Sequence, residues 1–131
     1  MKNKIEKNNV NLQNKSILLV ENDYSNYFLV SEIFEDTKIQ IVWAKTGIEA
    51  LNFCKDNIWF DLILIDNRLP ILSGIDTMIK LLQYNPKYKI IGLTAINNED
   101  EFRIAGAIDF ILKPIFEGEI FRNKILNYIN L

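Results

Sequence analysis

Asp61-Leu62-Ile63-Leu64-Ile65-Asp66 runs directly into Asn67-Arg68-Leu69-Pro70, so a carboxylate stands where an apolar segment meets a loop. Four consecutive branched aliphatic residues leave no polar residue on either alternate face. They read as a strand buried on both sides, at the centre of a parallel sheet covered by helices. A charge is costly inside such a strand, but at its carboxyl end it reaches solvent. In open α/β sheets the crevice beyond the strand carboxyl ends is also where ligands bind. A merely solvated loop aspartate would occupy the same place, so the rest of the chain decides between the two.

Upstream of that strand, Ser16-Ile17-Leu18-Leu19-Val20 reads as another buried strand, followed by Glu21-Asn22-Asp23 and a helix over about 25–36 with Leu29, Val30, Ile33 and Phe34 on one face. A strand over 39–43 follows, and Thr46 caps a helix over about 47–57. Downstream, Gly74 admits a helix with Ile75, Met78, Ile79 and Leu82 inward that ends before Pro86. A strand over 89–93, a short polar helix over about 98–105, a strand over 108–112 and a final helix over about 117–129 complete the series, the last with Phe121, Ile125, Tyr128 and Ile129 inward. Five β–α units in alternation imply right-handed crossovers and a doubly wound, three-layer α/β fold around a parallel sheet.

A chain of 131 residues, 49% hydrophobic and 24% charged, suits a single domain, here 15–131 after a polar leader over 1–14. The net charge of -2 gives no electrostatic footprint for nucleic acid or an anionic membrane, so direct nucleic-acid binding is not expected. No apolar stretch reaches membrane-spanning length and the leader has no signal-peptide core, which predicts a cytoplasmic protein. The single Cys54 excludes an internal disulfide. Its place beside Ile48, Leu51 and Ile58 predicts packing rather than nucleophilic work. The absence of histidine removes His-based triads, His-ligated zinc and His acid–base chemistry from the chain's own repertoire.

In the predicted architecture each strand delivers its next residues to one sheet edge. Glu21 with Asn22, Asp66, Thr94 and Lys113 each follow an apolar strand directly, so four sequence-distant groups converge. The segments Leu19-Val20-Glu21-Asn22-Asp23, Asp66-Asn67-Arg68-Leu69-Pro70 with Gly74, Thr94-Ala95 and Lys113-Pro114 resemble the receiver domains of two-component response regulators, the CheY-like superfamily. Ala44-Lys45-Thr46-Gly47-Ile48-Glu49-Ala50-Leu51 is similar to the segment that family carries after its second strand.

The resemblance implies a flavodoxin-like (βα)5 fold with strand order 2-1-3-4-5 and a signalling module in a two-component system or phosphorelay. Such a module is not an enzyme beyond its own phosphorylation and dephosphorylation. Asp66 becomes the phosphoacceptor, served by a histidine kinase or histidine phosphotransfer protein, which agrees with the missing histidine. Mg²⁺ is the implied cofactor, held by Glu21, Asn22, Asp66 and the backbone carbonyl of Arg68. Lys113 pairs first with Asp66 and then with a phosphoryl oxygen, Thr94 supplies a hydroxyl to the phosphoryl group, and Phe110 takes the aromatic switch position. The Lys113-Pro114 bond is expected to be cis, turning Lys113 toward the site. With no output domain after Leu131, the signal is expected to pass by contacts with an unknown downstream protein. The face of the fourth helix, fifth strand and fifth helix, with Phe116 and Tyr128, is the expected readout surface.

The chain departs from the family at Asn22, where the second of two acidic residues usually stands. An amide oxygen can ligate Mg²⁺, but the lost charge predicts weak binding. Asp23 is the neighbouring residue with a carboxylate to compensate. Arg68 and Ile96, each two residues beyond a site residue, are bulky enough to obstruct water and predict a long-lived phosphoaspartate. Asn22 also motivates the alternative of a degenerate receiver that takes no phosphate and acts as an interaction scaffold. A flavin protein or hydrolase on the same fold finds no support in a glycine-rich phosphate loop or a second catalytic acid beside Asp66.

Overall fold

The computed structural model describes residues 10–95, 99–115 and 117–129. Along the chain these form β1 (Ser16–Val20), α1 (Tyr24–Phe34), a 3-10 turn (Glu35–Thr37), β2 (Gln40–Ala44), α2 (Gly47–Cys54), β3 (Leu62–Asp66), α3 (Gly74–Tyr84), β4 (Ile90–Thr94), α4 (Glu99–Ala105), β5 (Asp109–Leu112) and α5 (Gly118–Ile129). The strands make one parallel sheet in the order β2-β1-β3-β4-β5, as expected.

Alternation along the central strands splits the interior into two cores. Leu18, Val20, Ile63, Ile65 and Ile90 face Ala50, Cys54, Met78, Leu81 and Phe102 of α2, α3 and α4. Ile17, Leu19, Leu62, Leu64, Ile91 and Leu93 face Val30, Phe34, Phe121, Ile125 and Ile129 of α1 and α5. Full burial of the 62–65 run is what its lack of polar alternation required. The last residues of the leader join the second core. Val10 packs against it, Leu12 is buried within it, and the Leu12 N–H donates to the Thr37 carbonyl at 2.7 Å.

Helix starts follow side-chain caps. Asp23 accepts from the Ser25 N–H, Thr46 from the Glu49 N–H and Ser73 from the Asp76 N–H. The phase of two helices differs from expectation. In α2 the buried face is Gly47, Ala50 and Cys54, while Ile48 and Ile58 are both 45% exposed. The helix stops at Cys54 and Asn57 takes a positive φ of 63°, which carries Ile58 off the apolar face. In α3 the inward residues are Thr77, Met78 and Leu81, and Ile79 is exposed. That rotation fits Gly47, where a Cβ would lie 2.0 Å from the Thr77 hydroxyl oxygen, so α2 and α3 approach closely at Gly47 and Thr77. The first helix ends at Phe34 rather than 36, because the chain tightens into the 3-10 turn and Lys38 adopts a left-handed φ of 66°.

Strands β2 and β4 each begin and end one residue later than their sequence pattern suggested, and β3 runs one residue past Ile65. For β3 this matters. The ladder continues through the Asp66–Leu93 pair, so the carboxylate is carried by the strand and not by the loop.

Candidate functional site

The carboxyl ends of β1, β3 and β5 bring three side chains together. Just past β1, Glu21 donates its N–H to the Ala44 carbonyl at 3.0 Å and is only 1% exposed. Its Oε2 accepts from the Asp23 N–H at 3.1 Å. Asp66, at the end of β3, is 7% exposed, and its Oδ1 accepts from the Arg68 N–H at 3.3 Å. Lys113 follows β5, and its Nζ lies 3.0 Å from Asp66 Oδ2 and 3.1 Å from Glu21 Oε1. One ammonium therefore bridges both carboxylates.

Lys113 is aimed by its backbone. Its N–H donates to the Thr94 carbonyl at 2.7 Å, and the Lys113-Pro114 bond is cis. On the other side, the start of α3 lies close against the backbone at the end of β3. A Cβ on Gly74 would fall 2.1 Å from the Asp66 carbonyl oxygen, so only glycine lets this helix start there. Asn67 ties the two together, its backbone carbonyl accepting from the Gly74 N–H at 3.1 Å and its Oδ1 from the Ile75 N–H at 3.4 Å. Asp66, Asn67, Arg68, Ala95 and Lys113 line an open pocket of about 170 Å³.

Burial pushes the Glu21 carboxyl above its usual range, and the charge of Asp66 adds to this. The Asp23 N–H and Lys113 recover only part of it. Burial alone would lower Lys113, but the hydrogen bond and charge of Asp66, followed by those of Glu21, outweigh it and hold the ammonium above its ordinary value. Two carboxylates and one ammonium leave a formal surplus of one negative charge.

Among the described residues no three His, Cys, Asp or Glu side chains form a metal cage. The oxygen donors brought together here are the Glu21 and Asp66 carboxylates. Hard oxygen donors with spare negative charge and room for water suit Mg²⁺, which keeps several waters in most protein sites. Asn22, next in the chain after Glu21, is exposed. Asp23, the neighbouring carboxylate, uses Oδ1 to cap α1 through the Ser25 N–H.

Thr94 is 1% exposed at the end of β4, next to the Lys113 backbone. Phe110 lies half-buried on β5, with the Arg103 guanidinium 4.6 Å from its ring centroid. Arg68 is exposed on the pocket wall, whereas Ile96 lies outside the described residues. Two contributors were not read from the sequence. One is Asn67, whose signal is a side-chain acceptor between a strand and a helix start. The other is Trp43, whose indole Nε1 donates to the Glu21 carbonyl at 2.7 Å and which no local pattern announces.

The family model for the response regulator receiver domain matches residues 17–124, the stretch that contains every one of these groups. The chain belongs to that family. Over 108 residues the receiver is 41% identical to the autoinducer 2 sensor kinase/phosphatase LuxQ of Vibrio parahaemolyticus, a match that covers 79% of this chain and 12% of the relative. The chain thus spans about an eighth of that protein's length. The receiver domain of sensor histidine kinase PA1611 from Pseudomonas aeruginosa superposes with a TM-score of 0.79 at 24% identity, covering 89% of this chain and 98% of the other. That protein has a magnesium ion coordinated in its active site cleft. The receiver domain of Ssk1 from Saccharomyces cerevisiae, solved with the histidine phosphotransfer protein Ypd1, superposes with a TM-score of 0.79 at 26% identity over 87% of this chain and 88% of the other.

Proposed function

We propose that this receiver takes a phosphoryl group from a phosphohistidine on a partner kinase or phosphotransfer protein onto Asp66. The observation that carries this reading is the single Lys113 ammonium shared at 3.0 and 3.1 Å between Asp66 and Glu21, in a pocket open to solvent at the strand ends. In the transfer an Asp66 carboxylate oxygen bonds to phosphorus as the phosphorus–imidazole nitrogen bond breaks, and the imidazole leaves on the partner. Phosphoryl transfer asks mainly for alignment and charge neutralisation, and the site is built from groups that supply those.

Lys113 neutralises Asp66 before transfer and one phosphoryl oxygen after it. Asp66, Glu21, the Asn22 amide oxygen and the Arg68 carbonyl are the donors for Mg²⁺, which when bound neutralises the phosphoryl oxygens. Asn22 in place of a second acid makes that binding weak. The Arg68 N–H fixes Asp66 Oδ1, and the exposed Arg68 side chain narrows the path for an attacking water.

The Thr94 hydroxyl then turns to the phosphoryl group, and the Phe110 ring moves inward, giving up its contact with Arg103. Readout passes to a downstream protein through α4, β5 and α5, where Ile104, Leu112 and Ile120 are exposed at 86%, 49% and 63%. Of the two aromatics first considered for that face, Phe116 lies outside the described residues, and Tyr128 is half-buried with its hydroxyl donating to Asp109. No helix among the described residues is long and apolar enough to cross a membrane, which suits a cytoplasmic module.

The test is incubation with acetyl phosphate and Mg²⁺ followed by intact mass. One phosphoryl group should add to the wild type and none to Asp66→Asn. A folded wild type that takes none would instead be a degenerate scaffold.

A further inference from the structure

Five side chains near the carboxyl ends of β1 and β2 form a structure that the phosphoacceptor site does not use directly. Trp43 stacks on Tyr27 with ring centroids 4.4 Å apart and planes 7° from parallel. Tyr24 tilts against the same indole at 5.8 Å and stacks on Phe28 at 6.1 Å, and the Lys45 ammonium lies 5.0 Å from the indole centroid. Tyr24 and Phe28 are more than half exposed, so burial alone does not explain the cluster.

The indole nitrogen gives it a direction. The β1–β2 ladder ends at Val20–Ala44, with the Glu21 N–H still bonded to Ala44. The Glu21 carbonyl, one step further, is taken by Trp43 Nε1 at 2.7 Å. A peptide group is planar, so fixing the Glu21 carbonyl fixes the plane that also carries the Asn22 nitrogen and its Cα. Tyr27 belongs to the first turn of α1, so the ring face of Trp43 holds the far end of the same short loop. Both ends of the turn that bears Glu21 and Asn22 are therefore anchored on one side chain from β2.

We infer that Trp43 is a positioning residue for the cation site, setting the turn from which Glu21 and Asn22 present their oxygens. The inference rests on the proposed Mg²⁺ site. With only an amide at position 22, the site has less charge to pull a misplaced ligand into position, so geometry fixed in advance counts for more.

The experiment is calorimetric titration of the intact chain with Mg²⁺, using wild type, Trp43→Phe and Trp59→Phe, together with ¹H–¹⁵N spectra of the wild type. Trp59 is the internal control. It donates from Nε1 to Asp61 Oδ1 at 3.2 Å, at the opposite end of β3. Phenylalanine at 43 keeps a ring to stack on Tyr27 but has no donor. Loss of that one hydrogen bond should weaken Mg²⁺ binding about 3- to 10-fold, with Trp59→Phe unchanged. In the wild-type spectra the Trp43 indole N–H should shift with the Mg²⁺ isotherm while that of Trp59 stays still. Equal affinity in a folded Trp43→Phe protein overturns the inference. So does a Trp43 indole signal that ignores bound Mg²⁺, a readout that needs no variant to fold. A wild type that binds no Mg²⁺ overturns the cation site and this inference together, whereas a normal Trp43→Phe isotherm removes the inference alone.

Discussion

Replacing Lys113 with methionine keeps the unbranched apolar stem and deletes the charge that bridges Asp66 and Glu21. At 3.0 and 3.1 Å, each contact represents about 5 kcal/mol of Coulomb attraction in an effective dielectric near 20, before desolvation. Burial of three charged groups offsets most of that, and the partial exposure of Lys113 lets water offset more. The net loss should be about 2–3 kcal/mol, below that for a fully buried pair. For a domain of this size the thermal midpoint should fall by about 6–10 °C. The deficit should depend on conditions in two ways. The Glu21 carboxyl, already raised in the wild type by burial and by the charge of Asp66, will hold a proton more tightly once the ammonium is gone. A carboxylate pKa raised by folding means that the folded state binds more protons, so the deficit is full above the raised folded value and disappears as pH falls to the ordinary carboxylate range. Two unneutralised carboxylates should also attract a dication more strongly, so Mg²⁺ should raise the midpoint of Lys113→Met more than that of the wild type. Thermal melts at pH 5 and pH 8, with and without Mg²⁺, make the comparison. A deficit indifferent to both pH and Mg²⁺ would show that Lys113 acts only as packing.

Other substitutions test separate parts of the site. Gly74→Ala places a Cβ against the Asp66 carbonyl oxygen and should cost about 2–3 kcal/mol in chemical denaturation while slowing phosphorylation, because the clash is with backbone that cannot swing aside. Asn22→Asp restores a charge to the cation site and should tighten Mg²⁺ binding by calorimetry about tenfold; an unchanged isotherm would remove Asn22 from the metal shell. Burial would raise Asp109, but hydrogen bonds from the Tyr128 hydroxyl and the Phe110 N–H, with Lys124 nearby, outweigh it and hold the carboxyl below its usual range. That stabilisation is present above the ordinary carboxylate range and is lost as pH falls through the lowered folded value. Tyr128→Phe should therefore cost about 1 kcal/mol at neutral pH, and the gap from the wild type should close in acid.

Much of the fold was legible because the central strands are apolar on both faces. Leu62 to Ile65 admits only a fully covered parallel strand, and its neighbours Ser16–Val20 and Ile90–Thr94 repeat the pattern. The cap at Thr46 showed where α2 begins, since its side chain accepts from an N–H three residues on. Helix phase was harder to read. Ile48, Ile58 and Ile79 look inward by composition, yet close α2–α3 contact through Gly47 and Thr77 turns them to solvent. At the site, Glu21, Asp66, Thr94 and Lys113 were legible because each stands at or just past the carboxyl end of an apolar strand. The cis peptide and the double engagement of Lys113 depend on backbone direction after β5. Trp43 reaches Glu21 only through the β1–β2 register, a non-local fact that no window of sequence contains.

The most direct test of Asp66 as phosphoacceptor is chemical mapping of the bond itself. The wild-type chain, phosphorylated by a phosphohistidine donor protein and reduced with borohydride, should yield homoserine at position 66 on peptide sequencing. Homoserine at Asp23, at Asp61 or nowhere in the folded chain, or undiminished phosphate uptake by Asp66→Asn, would contradict that assignment.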